Sequence, residues 1–204
     1  MITVVDYGMG NLASVTNAIK KYTGDVIISP IARDIREADK LILPGVGAFK
    51  DAYDEIETRG IRQAILDFID SGKPFLGICL GLQLLFTKSY EDGEHKGFDI
   101  IKGDVVPFNK DDGLKIPHMG WNSINSKPKA AGCKLFNGVS DGSYMYFVHS
   151  YYVVPEDESV IAATTGYGRD FCSMIWKDNI FACQFHPEKS QEQGLRIIEN
   201  FVRL

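Results

Sequence analysis

The sequence predicts an α/β fold in which a central, mostly parallel sheet is covered by helices and extended by antiparallel strands. Two observations in the first half of the chain support this: short apolar runs rich in β-branched residues alternate with amphipathic stretches of helical period. Continuously apolar strands separated by helices are typical of a parallel sheet buried on both faces. From about residue 96, short segments of alternating character favour antiparallel strands instead.

The elements of the first half follow from these runs. Strands are predicted at 2–6, 25–29, 40–44 and 74–78, and helices at 11–22, 48–57, 61–69 and 80–86. In the second half, antiparallel strands are expected, either added to the sheet or packed beside it. They are predicted at 104–108, 114–124, 144–154, 160–165, 172–177 and 179–185. An amphipathic helix is predicted over 191–203. No linker or repeat interrupts the chain, so residues 1–204 are expected to form one three-layer domain.

Composition argues against several functional classes. The 204 residues include 22 basic and 27 acidic side chains, and a net charge of −5 does not favour an extended nucleic-acid surface. No apolar run approaches the roughly 20 residues of a membrane span. The segment MITVVDYG lacks the features of a signal peptide, and the four cysteines lack CxxC spacing. We therefore expect a cytoplasmic protein whose cysteines are thiols.

A cysteine lies between two glycines at the predicted junction of the fourth strand and the next helix, in GICLG (77–81). This leaves Cys79 on a sharp corner with the shape of a nucleophile elbow, where a side chain at Gly77 or Gly81 would crowd the turn. The helix N-terminus favours the reactive thiolate, and the Leu80 N–H would be ready for an oxyanion. The alternative is a buried structural cysteine.

The nucleophile needs a base, and His186 in FACQFHPEKS is the strongest candidate. Glu188 stands two residues later, so in extended chain its carboxylate can hold the imidazole. The alternative is a strand end followed by a glutamate that caps the next helix. His118 and His149 lie in or near strands and are either core or site residues.

The segment PGVG (44–47) ends the third strand, at the sheet edge where Cys79 is expected. Two glycines around Val46 leave its peptide free to rotate, so Val46 and Gly47 could complete an oxyanion hole with Leu80. The alternative is an ordinary turn. The same glycines allow the Gly45–Val46 peptide to point the wrong way in the free chain and to turn into the active orientation when a ligand-loaded partner docks.

GICLGLQLLF, QFHPEKS and PGVGAF, in this order and spacing, resemble the class I (triad) glutamine amidotransferases. DYGMGNL, KIPHMGWN and YFVHSY make the chain similar to the glutaminase subunits of imidazole glycerol phosphate synthase. The resemblance implies a Cys79–His186–Glu188 triad that hydrolyses glutamine through a thioester, without metal or organic cofactor. It also implies the residues that bind glutamine: Gly47, Gln83, Glu91 and the backbone of Ser150 and Tyr151, with Glu94 as an alternative to Glu91.

The resemblance further implies a partner, the barrel-shaped cyclase subunit, which forms a heterodimer with the glutaminase and receives its ammonia through a channel. The expected interface residues are Gly10, Asn11, Met119, Trp121, Asn122 and Tyr146, although Trp121 could instead belong to the core. Three other functions stay open at this point. They are an amidotransferase that serves another acceptor, such as one in surface-sugar biosynthesis, a non-catalytic scaffold protein, and a cysteine peptidase.

Overall fold

The computed structural model describes residues 1–109 and 113–204, and the first half of the chain forms the parallel part of its central sheet. The strands are β1 (Ile2–Val5), β2 (Val26–Ser29), β3 (Lys40–Gly45) and β4 (Phe75–Cys79), in the order β2–β1–β3–β4. Between them lie α1 (Leu12–Lys20), α2 (Ala32–Glu37), α3 (Phe49–Thr58) and α4 (Arg62–Asp70). The sequence did not predict α2, because six residues are too few to display a helical period.

The second half extends the sheet beyond β4. Its strands are β5 (Phe86–Ser89), β6 (His95–Lys96), β7 (Ile101–Pro107), β8 (His118–Ser123), β9 (Asn125–Ser126), β10 (Tyr144–His149), β11 (Tyr151–Pro155), β12 (Ile161–Tyr167), β13 (Arg169–Lys177) and β14 (Ile180–Cys183). The sheet continues as β4–β14–β13–β11–β7–β5–β6, while β8 and β10 pair with each other as a separate antiparallel ribbon. Both expected placements therefore occur, one within the sheet and one beside it.

Two strands of the second half, β7 and β14, each make one parallel pair that the sequence pattern did not predict, β7 with β5 and β14 with β4. β14 is antiparallel to β13, with which it forms a hairpin, but it is parallel to β4. The hairpin reverses the chain, and this reversal aligns β14 with the parallel strands. As a result, β3, β4 and β14 all end at the same edge of the sheet.

The helix expected over 80–86 is much shorter, because α5 spans only Leu80–Gln83. The backbone carbonyls that would continue it are taken by another segment. Phe98 N–H donates to Leu84 O at 2.8 Å, and Ile100 N–H donates to Leu85 O at 2.9 Å. The chain then enters β5. The prediction was wrong here because a long-range pairing overrode local helical preference.

Apolar residues pack on both faces of the sheet. In β3, Leu41 and Leu43 belong to one cluster with α3 and α4, whereas Ile42 belongs to another with α1 and the last helix, α6 (Gln191–Arg203). Successive strand residues point to opposite faces, so this division shows a sheet covered on both sides. The predicted α/β class, with a parallel sheet extended by antiparallel strands, is confirmed, and the domain boundary of 1–204 stays a prediction. Within the described residues, no helix has the length and apolar character needed to cross a bilayer.

Candidate active site

The junction between β4 and α5 forces a cysteine into a backbone conformation that side chains rarely adopt. Cys79 has φ 55° and ψ −107°, and such a residue persists only when its surroundings hold it there. Glycines on both sides make the turn possible. A Cβ on Gly77 would lie 2.8 Å from the Gly81 carbonyl oxygen, and one on Gly81 would overlap the carbonyl oxygen of Leu43. The predicted elbow is present in the structure.

The candidate base reaches the elbow from the neighbouring strand. Cys183, the last residue of β14, pairs with Ile78, and His186 follows three residues later. His186 Nδ1 lies 2.9 Å from Glu188 Oε1, and the two side chains are only 3% and 1% exposed. Glu188 stands in a single helical turn, Pro187–Lys189, rather than in extended chain. The histidine and the carboxylate nevertheless meet as the spacing suggests.

The environment of His186 favours positive charge on its imidazole. Burial disfavours that charge, but the Cys79 sulfur and the Glu188 carboxylate outweigh burial and raise the pKa of His186 to about 10. The other ring nitrogen, Nε2, is buried and makes no hydrogen bond to a described residue, although Cys79 is near enough to act on the ring. Catalytic hydrogen bonds are often long in unliganded sites and tighten with substrate. The site therefore stabilises a protonated His186 imidazole beside the Cys79 sulfur.

The PGVG segment reaches the same edge of the sheet. Gly45, the last residue of β3, pairs with Cys79 across the strands. Val46 and Gly47 follow, and both line a cavity of about 230 Å³ together with Cys79 and Leu80. Gly47 has φ +97°, in the left-handed region that favours glycine.

The other predicted glutamine-binding residues line this cavity as well: Gln83, Glu91, Ser150 and Tyr151. Its volume lies below the range of pockets for drug-sized molecules, which suits a ligand the size of an amino acid. Glu91 Oε2 accepts a 2.6 Å hydrogen bond from the Phe49 N–H, and burial raises the pKa of this carboxyl. Glu94 instead forms a 3.5 Å ion pair with Lys88, and its side chain is exposed. The geometry therefore favours Glu91 over Glu94 as the acidic residue of the cavity.

Two glutamines lie beside Cys79. Gln83 was predicted only as a glutamine-binding residue, and Gln184 was not predicted as a site residue. Gln184 Nε2 donates to Cys79 Sγ at 3.6 Å, and Gln184 Oε1 accepts a 3.0 Å bond from Gln83. Gln83 also donates to the Tyr151 carbonyl oxygen at 3.0 Å. The signal for Gln184 was present, because it is the one amide side chain in the apolar run IFACQF and lies two residues before His186.

His149 and His118, which the sequence left as core or site residues, form a buried pair behind the cavity. His149 lines the cavity, and its Nδ1 donates to the Tyr151 carbonyl oxygen at 2.8 Å. The His149 Nε2 must then accept from His118 Nδ1, 2.9 Å away, and the amide of Asn122 donates to His118 Nε2 at 3.2 Å. This assignment satisfies every ring nitrogen with both histidines neutral.

Burial explains why these two histidines stay neutral. The pKa of His118 is lowered to about 4 by burial, and that of His149 to about 3, mainly by burial and in part by the neighbouring His118 and His186. A proton added to either ring would set two N–H groups against each other. The pair therefore acts as a fixed hydrogen-bond chain that supports the Tyr151 backbone at the cavity wall.

The predicted interface residues lie outside the cavity, on two surface segments. Met119 and Trp121 project from the same side of β8 and are 59% and 46% exposed. Trp121 packs edge-on against Tyr146 of β10, with ring centroids 6.1 Å apart. Asn122 turns inward, as described above. Gly10 and Asn11 precede α1. Asn11 is the N-cap of this helix, and its side chain accepts a 3.2 Å hydrogen bond from the Ser14 N–H.

Comparison with known proteins agrees with this geometry. A family model described as glutamine amidotransferase class-I matches residues 3–204. The chain belongs to this family. Two solved structures share the fold: PurLQS from Thermotoga maritima (TM-score 0.75, 17% identity, 99% of this chain and 97% of that one) and the glutaminase domain of Trypanosoma brucei CTPS (TM-score 0.68, 15% identity, 98% and 91%).

Within the family, the chain is similar over nearly its whole length to proteins named imidazole glycerol phosphate synthase subunit HisH. The protein from Syntrophotalea carbinolica is 54% identical over 98% of this chain and 98% of its own length. The protein from Aquifex aeolicus is 52% identical over 98% of this chain and 95% of its own length. The protein from Rhodopirellula baltica is 51% identical over 99% of this chain and 97% of its own length. The resemblance drawn from the sequence is confirmed.

Proposed function

We propose that this chain is the glutaminase subunit of imidazole glycerol phosphate synthase and supplies ammonia for histidine biosynthesis. The observation that carries the proposal is the buried His186–Glu188 pair, 2.9 Å apart, beside a cysteine held on a strained elbow at the wall of a small cavity. About 50% identity to HisH proteins over nearly the full length supports the particular reaction.

The proposed reaction begins when Cys79 Sγ attacks the side-chain amide carbon of glutamine. His186 accepts the thiol proton and then donates a proton to the departing ammonia, which leaves a glutamyl thioester. Water attacks the thioester and releases glutamate. Glu188 stabilises the imidazolium, in keeping with the raised pKa of His186. Each step is proton transfer and acyl transfer, which the three side chains can carry out.

The negative oxygen formed in the attack needs hydrogen-bond donors at the elbow. We assign these to the Leu80 N–H and to the Val46–Gly47 segment, which line the cavity beside Cys79. Losing one such donor typically lowers kcat by about 100-fold or more. Regulation follows from the same segment, because a Gly45–Val46 peptide that turns its N–H into the cavity only when the partner docks would prevent wasteful hydrolysis.

Glutamine binding is assigned to the remaining lining residues. Glu91 would hold the α-amino group, the Ser150–Tyr151 backbone the carboxylate, and Gly47 and Gln83 the rest of the molecule. The partner would be the cyclase barrel, docked on the surface of Met119 and Trp121. We further propose that the heterodimer acts in the cytoplasm, which suits a protein whose four cysteines are buried thiols.

Ammonia release from glutamine, with and without the cyclase and its ligand, tests the proposal. Wild type should be strongly stimulated by the loaded cyclase, and Cys79→Ala should be inactive in every condition. Cys172→Ala is the matched control, since it removes a buried thiol that lies outside the cavity. Equal rates with and without the cyclase would contradict the regulation, and an active Cys79→Ala would contradict the chemistry.

A further inference from the structure

Tyr7, the second residue after β1, carries a hydroxyl group that the fold buries without satisfying. Its side chain is 0% exposed and packs among the apolar residues of the α3–α4 face. Its oxygen finds no hydrogen-bond partner within residues 1–109 and 113–204. A buried tyrosine hydroxyl normally has a partner, and an unmade hydrogen bond costs free energy. This group therefore calls for an explanation outside simple packing.

The hydroxyl lies directly against the oxyanion segment. A Cβ built on Gly45 would overlap the Tyr7 oxygen, so this oxygen occupies the space beside the Gly45 Cα. Gly45 contributes its carbonyl group to the peptide that joins it to Val46. The phenol also lies in the electrostatic field of Cys79, which adds to burial in raising the pKa of Tyr7. The hydroxyl therefore stays protonated and available as a donor at the elbow.

We propose that Tyr7 is a positioning residue for the oxyanion hole. When the Gly45–Val46 peptide turns, its carbonyl oxygen accepts a hydrogen bond from the Tyr7 hydroxyl, and the Val46 N–H is held toward the cavity. This inference rests on the proposed function and adds a residue to its regulation. Tyr7 touches neither the substrate nor the reacting atoms and acts only through the peptide.

The Tyr7 hydroxyl stabilises one of the two orientations of the Gly45–Val46 peptide and not the other. In the orientation observed, the Tyr7 hydroxyl is buried and unsatisfied, whereas after the turn it is satisfied. A group that interacts with one state and not with the other shifts the equilibrium toward the first by that difference. The buried ring cannot swing away to find water, so the turned peptide is the partner within its reach.

Tyr7→Phe tests the inference, because it removes the hydroxyl and retains the ring. With the loaded cyclase bound, we expect kcat for glutamine hydrolysis to fall about 3- to 10-fold, the range that corresponds to one hydrogen bond, with little change in KM. Alkylation of Cys79 by iodoacetamide forms no oxyanion, so its rate should match wild type. The midpoint of urea unfolding should be equal or higher, since an unsatisfied buried group is gone.

Tyr22→Phe is the control, since this tyrosine follows the far end of α1 and belongs to the other apolar cluster. It should match wild type in every measurement. Tyr7→Phe with wild-type stimulated turnover would overturn the inference alone. A fall in turnover matched by equal falls in alkylation rate or stability would also overturn it, in favour of a structural role. A wild type that the cyclase does not stimulate would overturn the proposed function itself.

Discussion

Acidification should destabilise this protein through the neutral His118–His149 pair. Both rings are buried, and their pKa values are lowered to about 4 and about 3. In the unfolded chain each would titrate near 6.5. As pH falls below that value, the unfolded state binds protons that the native state does not bind, so the free energy of unfolding decreases. Between pH 7 and pH 5 the loss is about 2 kcal/mol per histidine, or about 4 kcal/mol for the pair.

Urea unfolding at pH 7 and pH 5 measures this loss, and a variant isolates it from other titrating groups. His118→Phe keeps a ring in the stack with Tyr167, whose centroid lies 4.0 Å away, and removes one titratable site. Its loss of stability between the two pH values should be about 2 kcal/mol smaller than that of wild type. Phe147→Leu, which disturbs the same aromatic cluster without removing a titratable group, should keep the full loss.

The contribution of His186 to stability changes with pH in the opposite direction. Its pKa is raised, so its stabilising contribution is complete below about pH 6.5 and is lost as pH rises toward 10. The contribution of His186 is the same in wild type and in His118→Phe, so it cancels when the two proteins are compared. An unchanged pH dependence in His118→Phe would refute the neutral-pair assignment.

Three further predictions concern the elbow, the surface and the triad. Gly81→Ala should lower the free energy of unfolding by about 1–3 kcal/mol or prevent folding, because the added Cβ overlaps the Leu43 carbonyl oxygen. Gly24→Ala is the control and should leave the free energy of unfolding unchanged, because Gly24 faces open space. Trp121→Ala should weaken cyclase binding about 10-fold or more by titration calorimetry and leave the fold intact, and an unfolded variant would instead indicate a core role. Glu188→Gln should lower kcat for ammonia release by on the order of 100-fold or more with an unchanged fold, and near wild-type turnover would remove the carboxylate from the triad.

The sequence predicted the sheet edge well because its signals are local. The strand runs 40–44 and 74–78 are apolar throughout most of their length; the observed β3 is longer by one residue, and β4 is shifted by one residue. The elbow was predictable because two glycines flank one cysteine at a strand end, a pattern with a steric cause. Family resemblance supplied what spacing could not, such as the placing of Ser150 and Tyr151 at the cavity.

Apart from α2, which is too short to display a helical period, the errors and omissions depend on contacts between different segments of the chain. α5 ends early because the N–H groups of Phe98, Ile100 and Ile101 donate to the carbonyls of Leu84 and Leu85. The parallel direction of β14 follows from its hairpin with β13. The bond from Gln184 to Cys79 joins residues 105 positions apart. No periodicity within a short window carries information of this kind.

The same long-range contacts explain how the strained elbow is maintained. Cys79 holds φ 55° although no local preference favours it. β3 and β14 flank its strand, and residues 98–101 hold the chain just beyond α5. A backbone fixed from both sides cannot relax without breaking several hydrogen bonds at once. The cost of the strained geometry is therefore spread over the sheet, and the Cys79 thiol stays in place at the edge where β3, β4 and β14 end.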